Sequence, residues 1–432
     1  MKRLGAVLVI LLAAMCAFCA STSRGVATNA SYDSLAEHFS IQNMDAKERE
    51  FWENTVISLV TISKGDNVYE WFGHTAISVA PPTSESITYN YGYFSFSDGF
   101  YVNFAMGRLL YLCDANYTKY EVMAASYNGR TMTETPLNLT PEQKKAVVQY
   151  LAYNSTPPNN TYLYHYYADN CATRIRDIID VATDGQFSAW AKGIRGLSYR
   201  KNNSRILANN LFWNWLLDLL EGDYLDNEDA TLWDEMYLPA KLQQAVLDYP
   251  GNLTSTVNYT TDFRDTDPRK PDFSEPQSYT LKLLLISLAF CAILFVSYKK
   301  VHVLYSICSF SVNLVLGLVG TILLFMMIFT THDVTWNNEN VLFINPLLVA
   351  VAIMSLRPAK HRVGLRRLWL ILLGAVVILV VFKAVLPSVF DQKNWSIILP
   401  FIPIAGVNYY LFRSGRISGS EGSAARKEKS RE

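Results

Sequence analysis

Cysteine is scarce in this 432-residue chain, with six in all, and so is any excess of one charge: 38 basic side chains face 38 acidic ones. The short cysteine list excludes a disulfide-stapled scaffold, which carries many more per residue. Two cysteines, Cys16 and Cys19, fall in an apolar leader, and Cys291 and Cys308 fall in long apolar runs. Only Cys113 and Cys171 remain for the rest of the chain. The zero net charge hides two unlike halves. Residues 21–278 hold 20 basic against 32 acidic side chains, whereas residues 279–432 hold 16 against 6. An acidic first half excludes phosphate-backbone binding, because nucleic-acid affinity rests on Lys and Arg neutralising phosphates. With 50% hydrophobic and 13% aromatic residues, disorder is excluded for all but the ends.

What the chain does have is long hydrophobic runs. Residues 1–20 read as a secretory signal, with Lys2 and Arg3 before an apolar stretch and small residues. A lipoprotein reading of Cys16 or Cys19 lacks the Leu-x-small box before the cysteine. From residue 280, apolar runs at 281–297, 301–330, 341–356, 368–386 and 397–412 predict a five-helix transmembrane domain over 280–412. The third run is short, and the fifth carries Pro400 and Pro403. Basic residues in the connecting loops and tail divide 13 against 2 between the two sides. The positive-inside rule then puts the tail, 413–432, in the cytoplasm and residues 21–278 outside, in the periplasm of a bacterial inner membrane.

The exported part, 21–253, reads as an α+β catalytic domain, followed by a polar, Pro-interrupted linker at 254–279. Strands are expected at Val56–Ile62, 71–79, 86–96, 117–127 and 130–137. Thr140, Pro141 and Gln143 form a capping box with proline at the first helical position, opening a helix to Asn154. A second helix starts after Asp169-Asn170, and others are expected near 204–220 and 239–248. The aromatic stretch 211–217 fits either a core helix or one lying in a bilayer interface.

The chemistry lies in His74 and Cys171. His74 opens an apolar strand in Gly73-His74-Thr75-Ala76-Ile77; alone, such a histidine reads as a satisfied core residue. Cys171 follows Asp169-Asn170, so it sits in the first turn of a helix, where free amides and the macrodipole favour a thiolate. A first-turn Cys with a strand His is the papain-like arrangement, in which the imidazole takes the thiol proton and later returns one. The order, histidine before cysteine, fits a permuted papain-like thiol fold of the NlpC/P60 or LRAT kind. Asn90, on the next strand, is the candidate to orient the imidazole, with Asp98 as competitor. Against this stands a buried structural Cys171 or a Cys113–Cys171 disulfide. A zinc site from His74, Cys113, His165 and Cys171 has none of the usual ligand spacings. His38 sits in a polar stretch with nothing around it. No cofactor or metal is expected.

These segments resemble, in order, the DUF4105 family. They are Gly73-His74-Thr75, Tyr89-Asn90-Tyr91-Gly92, Gly129-Arg130, Leu137-Asn138-Leu139-Thr140 and Asn170-Cys171-Ala172-Thr173-Arg174, over about residues 50–250. The resemblance implies a lipoprotein N-acyltransferase with Cys171 as nucleophile and His74 as base; it assigns Cys113 no role. The implied partners are the lipid bilayer, a phospholipid acyl donor and a diacylated lipoprotein acceptor, without nucleic acid. Two alternatives stand beside it: a cysteine hydrolase of cell-wall peptides or phospholipid esters, and a non-enzymatic membrane receptor whose two cysteines pair.

Overall fold

The computed structural model describes residues 44–94, 99–254, 256–266 and 275–413. The expected signal, His38, Asp98 and the tail after Arg413 lie outside the described residues. The strands are β1 Val56–Ile62, β2 His74–Ala80, β3 Ile87–Tyr93, β4 Leu110–Tyr117, β5 Met132–Pro136, β6 Thr161–Leu163 and β7 Asn258–Thr261. The helices of eight residues or more are α1 Ala46–Asn54, α2 Thr118–Tyr127, α3 Pro141–Asn154, α4 Cys171–Ala182, α5 Tyr199–Ile206, α6 Leu211–Leu220, α7 Pro239–Asp248, α8 Thr280–Lys300, α9 His302–Phe329, α10 Leu347–Ser355, α11 Arg362–Val385 and α12 Trp395–Arg413. Among the described residues they divide into two compact units, one within 44–209 and 227–277, the other within 210–226 and 278–413.

The first unit is built on one sheet of order β6-β4-β3-β2-β1-β5-β7, every pairing antiparallel. Successive strand side chains point to opposite faces. Ile57, Leu59, Ile77, Val79, Tyr89 and Tyr91 therefore share one core with Ile175, Ile178 and Ile179 of α4. Val60, Ile62, Ala76 and Met132 pack on the other side with Ala125 of α2. Because both faces of β1 are covered, its sequence runs apolar almost without alternation. The spacing of Ile175, Ile178, Ile179 and Ala182 makes one apolar stripe on α4, each isoleucine contributing roughly 1.5–3 kcal/mol on burial. The capping box of α3 forms as read: Gln143 N–H donates to Thr140 Oγ1 at 3.2 Å, and Thr140 N–H to Gln143 Oε1 at 2.8 Å.

Three local expectations change. Residues 118–127 form helix α2, not a strand; Thr118, Val122 and Ala125 recur at helical spacing on the buried side. The helix expected over 204–220 is two, α5 and α6, and they fall in different units. Part of the polar linker, Asn258–Thr261, adds to the sheet edge beside β5. Being a largely exposed edge strand, it needs no apolar face.

In the second unit α8, α9, α11 and α12 are long and apolar enough to cross a membrane. The expected third span is shorter. Its helix, α10, has nine residues, which at 1.5 Å per residue is less than half of a bilayer's hydrocarbon thickness. It nevertheless runs back along α9: Ser355 lies against Ser309 (Oγ–Oγ 2.9 Å), and residues 344 and 349 press on Gly320 and Gly317. A β-carbon at Gly320 would stand 2.4 Å from the Ile344 carbonyl oxygen, so only glycine admits this approach. Before α10 the chain forms only a short 3-10 turn, Glu339–Leu342, and Pro346 stands at the N-cap of α10; side chains bond the backbone groups around it. Asn345 Oδ1 accepts from Leu347 N–H (3.0 Å), Gln392 Oε1 accepts from Glu339 N–H (2.7 Å), and Asn338 Nδ2 donates to the Leu219 carbonyl (2.9 Å). Irregular backbone at membrane depth requires such protein partners.

The ends of the helices sort by charge. Tyr298, Tyr305 and Phe412 meet at one end, and Tyr305 bonds to Asn408 (2.8 Å). Lys299, Lys300 and Arg413 lie within a residue or two of these rings in sequence. At the other end, Lys383 is spent on a buried ion pair with Glu339 (2.5 Å). Helix α6 belongs to this unit, with Leu219 in its apolar core and Trp215 packed against it.

Candidate active site

Cys171 is the first residue of α4. Its position is fixed by the cap before it. Asn170 Oδ1 accepts from the amides of Ala172 and Thr173 (2.9 Å each), and Thr173 Oγ1 accepts from Asn170 N–H (2.7 Å). Asn170 Nδ2 in turn donates to the carbonyls of Tyr166 (2.9 Å) and Tyr237 (3.0 Å), tying the helix start to two other segments. Arg174 grips Asp169 through two parallel bonds, one of 2.7 Å from Nη2, and lies over the Tyr162 ring at 4.2 Å. The thiol is buried, with 9% of the residue exposed.

His74 opens β2 immediately after Gly73, whose φ of +81° suits glycine and turns the chain into the strand. The β2–β3 ladder pairs Ile77 with Tyr89 and stops there. Extending that register sets His74 opposite Gly92, and a bulge follows between Asn90 and Tyr93. Gly92 is required: a β-carbon there would stand 2.4 Å from His74 Cε1 and 3.0 Å from Asn90 Oδ1. His74 Nε2 lies 2.8 Å from Asn90 Oδ1. That same oxygen accepts from Gly92 N–H at 2.8 Å, which identifies it as the carbonyl end of the amide. An oxygen accepts only, so Nε2 carries a proton and Nδ1 is the nitrogen left for Cys171.

The electrostatics follow. Burial pushes the Cys171 thiol up, but the His74 charge, its hydrogen bond and the amides of Thr75 and Ala172 outweigh burial and hold it below its ordinary value. Burial pulls His74 down, while the Cys171 charge and hydrogen bonds to Cys171 and Asn90 leave it raised, against a smaller opposing field from Arg130. Both shifts favour the charged forms of the pair, an anionic sulfur beside a cationic imidazole.

The other sequence candidates lie elsewhere. Cys113 is a free thiol, fully buried in the core, and burial pushes it up to about 12. Cys171 is also free, so the two form no disulfide. His165 Nδ1 accepts from the amides of Tyr167 (3.1 Å) and Ala168 (2.9 Å), closing a turn. Among the described residues, no three His, Cys, Asp or Glu side chains converge to hold a metal ion. Sequence reasoning did not assign Gly92, the Thr75 amide or the Asp169–Arg174 pair. Gly92 was visible in the Asn-Tyr-Gly string, but its need for a bare α-carbon depends on the imidazole above it.

Two family models match. Residues 46–204 match the Lnb N-terminal periplasmic domain, and residues 269–414 match the Lnb transmembrane domain. No curated protein and no solved structure matches the chain. The two matches together span more than two-thirds of the 432 residues, in the order of the two units. The chain belongs to the Lnb family and is a multi-pass membrane protein with a periplasmic N-terminal domain.

Proposed function

We propose that this protein is a thiol-dependent lipoprotein N-acyltransferase of the bacterial inner membrane, with Cys171 as nucleophile, His74 as general base and acid, and Asn90 orienting the imidazole. The observation that carries the reading is the Asn90–His74–Cys171 relay, with Cys171 on a helix start packed against the antiparallel sheet. A helix-borne thiol facing a strand-borne imidazole and amide is the papain-like constellation, here in permuted order.

The Cys171 thiolate attacks an acyl ester carbonyl of a phospholipid. A C–S bond forms, the C–O bond breaks, and the departing alkoxide takes the proton from His74 Nδ1, giving a lysophospholipid and an acyl thioester. The α-amine of a diacylated lipoprotein's terminal cysteine then attacks the thioester. Its proton passes to His74, the C–N amide bond forms and the C–S bond breaks, restoring the thiolate. The Cys171 amide at the helix start serves as an oxyanion donor in both steps. A tether of membrane helices suits substrates that both reside in a bilayer.

The test uses full-length protein with labelled phospholipid, with and without a diacylated lipopeptide. Acyl label on Cys171, released by neutral hydroxylamine and passed to the lipopeptide amine, is expected. Release as free fatty acid at the same rate without acceptor favours the hydrolase; no label at all on Cys171 removes the mechanism.

A further inference from the structure

An apolar recess lies along β4, one ring stack away from the core that holds Cys171. A cavity of about 190 Å³ opens between the short helix Phe100–Ala105 and β4, lined in part by Phe100, Phe104, Leu110 and Tyr111, with Asn103 and Arg108. One wall leads to the nucleophile: Tyr111 stacks on Tyr164 at 4.3 Å between centroids, and both rings pack on the core cluster that contains Cys171. The thiolate's field reaches both. Burial first, and then the Cys171 charge, push the Tyr111 hydroxyl up to about 12 and raise that of Tyr164. In the outward direction the apolar surface continues. Tyr101 is 77% exposed and Val102 68%, and Phe104 and Leu110 are also exposed. Between Gly99 and Cys113 the sequence holds one charged residue, Arg108. Exposed apolar surface joined to a lined cavity marks a ligand or membrane contact, and a single guanidinium beside it is the natural partner of a phosphate.

We propose that this cavity receives one fatty acyl chain of a bilayer phospholipid, with Arg108 meeting the headgroup phosphate and the Tyr111–Tyr164 stack guiding the ester to Cys171. The proposal rests on the acyl-transfer reading above and adds where donor chain length is sensed. The chemistry of the walls selects the ligand: aromatic and aliphatic surface for a hydrocarbon chain, one cation for the phosphodiester. A cell-wall peptide, rich in polar amides, would leave its hydrogen-bonding groups unmet there.

The experiment loads full-length protein in detergent micelles with labelled phosphatidylethanolamine donors ranging from dioctanoyl to dipalmitoyl. It measures the rate of hydroxylamine-sensitive labelling of Cys171. Asn103→Trp narrows the cavity and Phe104→Ala widens it. Since even one methylene in an apolar pocket is worth roughly tenfold or more, Asn103→Trp should lower the dipalmitoyl-to-dioctanoyl rate ratio at least about tenfold. Phe104→Ala should move the ratio the other way. An unchanged ratio in both variants, or a loss equal for every chain length in both, overturns the cavity assignment. Absence of thioester on the wild-type protein from every donor instead overturns the acyl-transfer reading beneath it, so the two failures are distinct.

Discussion

In the periplasmic unit, His74, Asn90 and Cys171 meet where β2 and β3 part and a helix begins; two of the three are titratable, and each favours the charged form of the other. In the membrane unit, Asn338, Asn340, Asn345, Gln392 and Asn394 are also buried together, yet none of them titrates. Their amides satisfy the Asp218, Leu219 and Glu221 carbonyls at the end of α6 and the Leu347 N–H at the start of α10. Buried polarity thus does two jobs here. In one unit it shifts a buried thiol toward its anion, and in the other it holds an irregular segment against an apolar bundle. Charge follows the same division, since a buried ion pair of the membrane unit, Glu339–Lys383, joins a short 3-10 turn to α11.

The comparison breaks most sharply at the nucleophile. Cys171→Ala should abolish thioester formation and acyl transfer, and Cys171→Ser should lose nearly as much, because a hydroxyl is a far weaker nucleophile beside the same base; intact-mass detection of the acyl-enzyme checks both. His74→Ala should cost on the order of 10²–10⁴-fold in turnover, and the His74→Ala, Cys171→Ala double variant little more than the worse single one. The same variant tests the charge pair. Wild-type Cys171 is held below its ordinary range, so alkylation should persist as pH falls below the usual thiol value of about 8.5. Without His74 only burial and two amides act, so reactivity should return only at alkaline pH, read from alkylation rate against pH.

Gly92→Ala should act through geometry. Its methyl meets the imidazole at 2.4 Å, and a displacement of about 1 Å costs on the order of 10²-fold in rate, measurable as a fall in kcat with the fold intact by circular dichroism. Asn340→Leu should sharpen the contrast from the other side. It strands the Asp218 carbonyl and the Asn394 amide, at about 1–3 kcal/mol for each group left unpaired. The expected result is a lower Tm in detergent with the Cys171 alkylation rate unchanged. The smallest effect belongs to Cys113→Ser. That thiol shares the core with Cys171 but is not among the bonding partners of His74, Asn90 or Cys171, so activity should stay within about twofold, with a stability loss of about 1 kcal/mol from burying a hydroxyl.

Much of this was legible along the chain because its causes are local. A capping asparagine before Cys171, proline after Thr140, apolar runs of membrane length and the lopsided lysines and arginines each act over a few residues, so one segment suffices to read them. Asn90 was readable as a partner of His74 because a hairpin makes neighbouring strands adjacent. Residues 118–127 misled because aromatic and β-branched composition suggests a strand, while their buried positions follow a helical period. At the third run the helix is shorter than the apolar stretch, because hydropathy counts apolar residues and does not see that Asn345 and Pro346 set where the helix starts.

What the sequence determined by itself was where the chain goes and which side chains could react: membrane or periplasm, helix start or strand, thiol and imidazole. Only the tertiary structure decided how they meet. The imidazole tautomer depends on an amide whose orientation Gly92 N–H sets, and the thiolate depends on a helix start brought to the end of a strand almost a hundred residues earlier. These are interactions across sequence distance, governed by strand register and packing, and no local pattern encodes them.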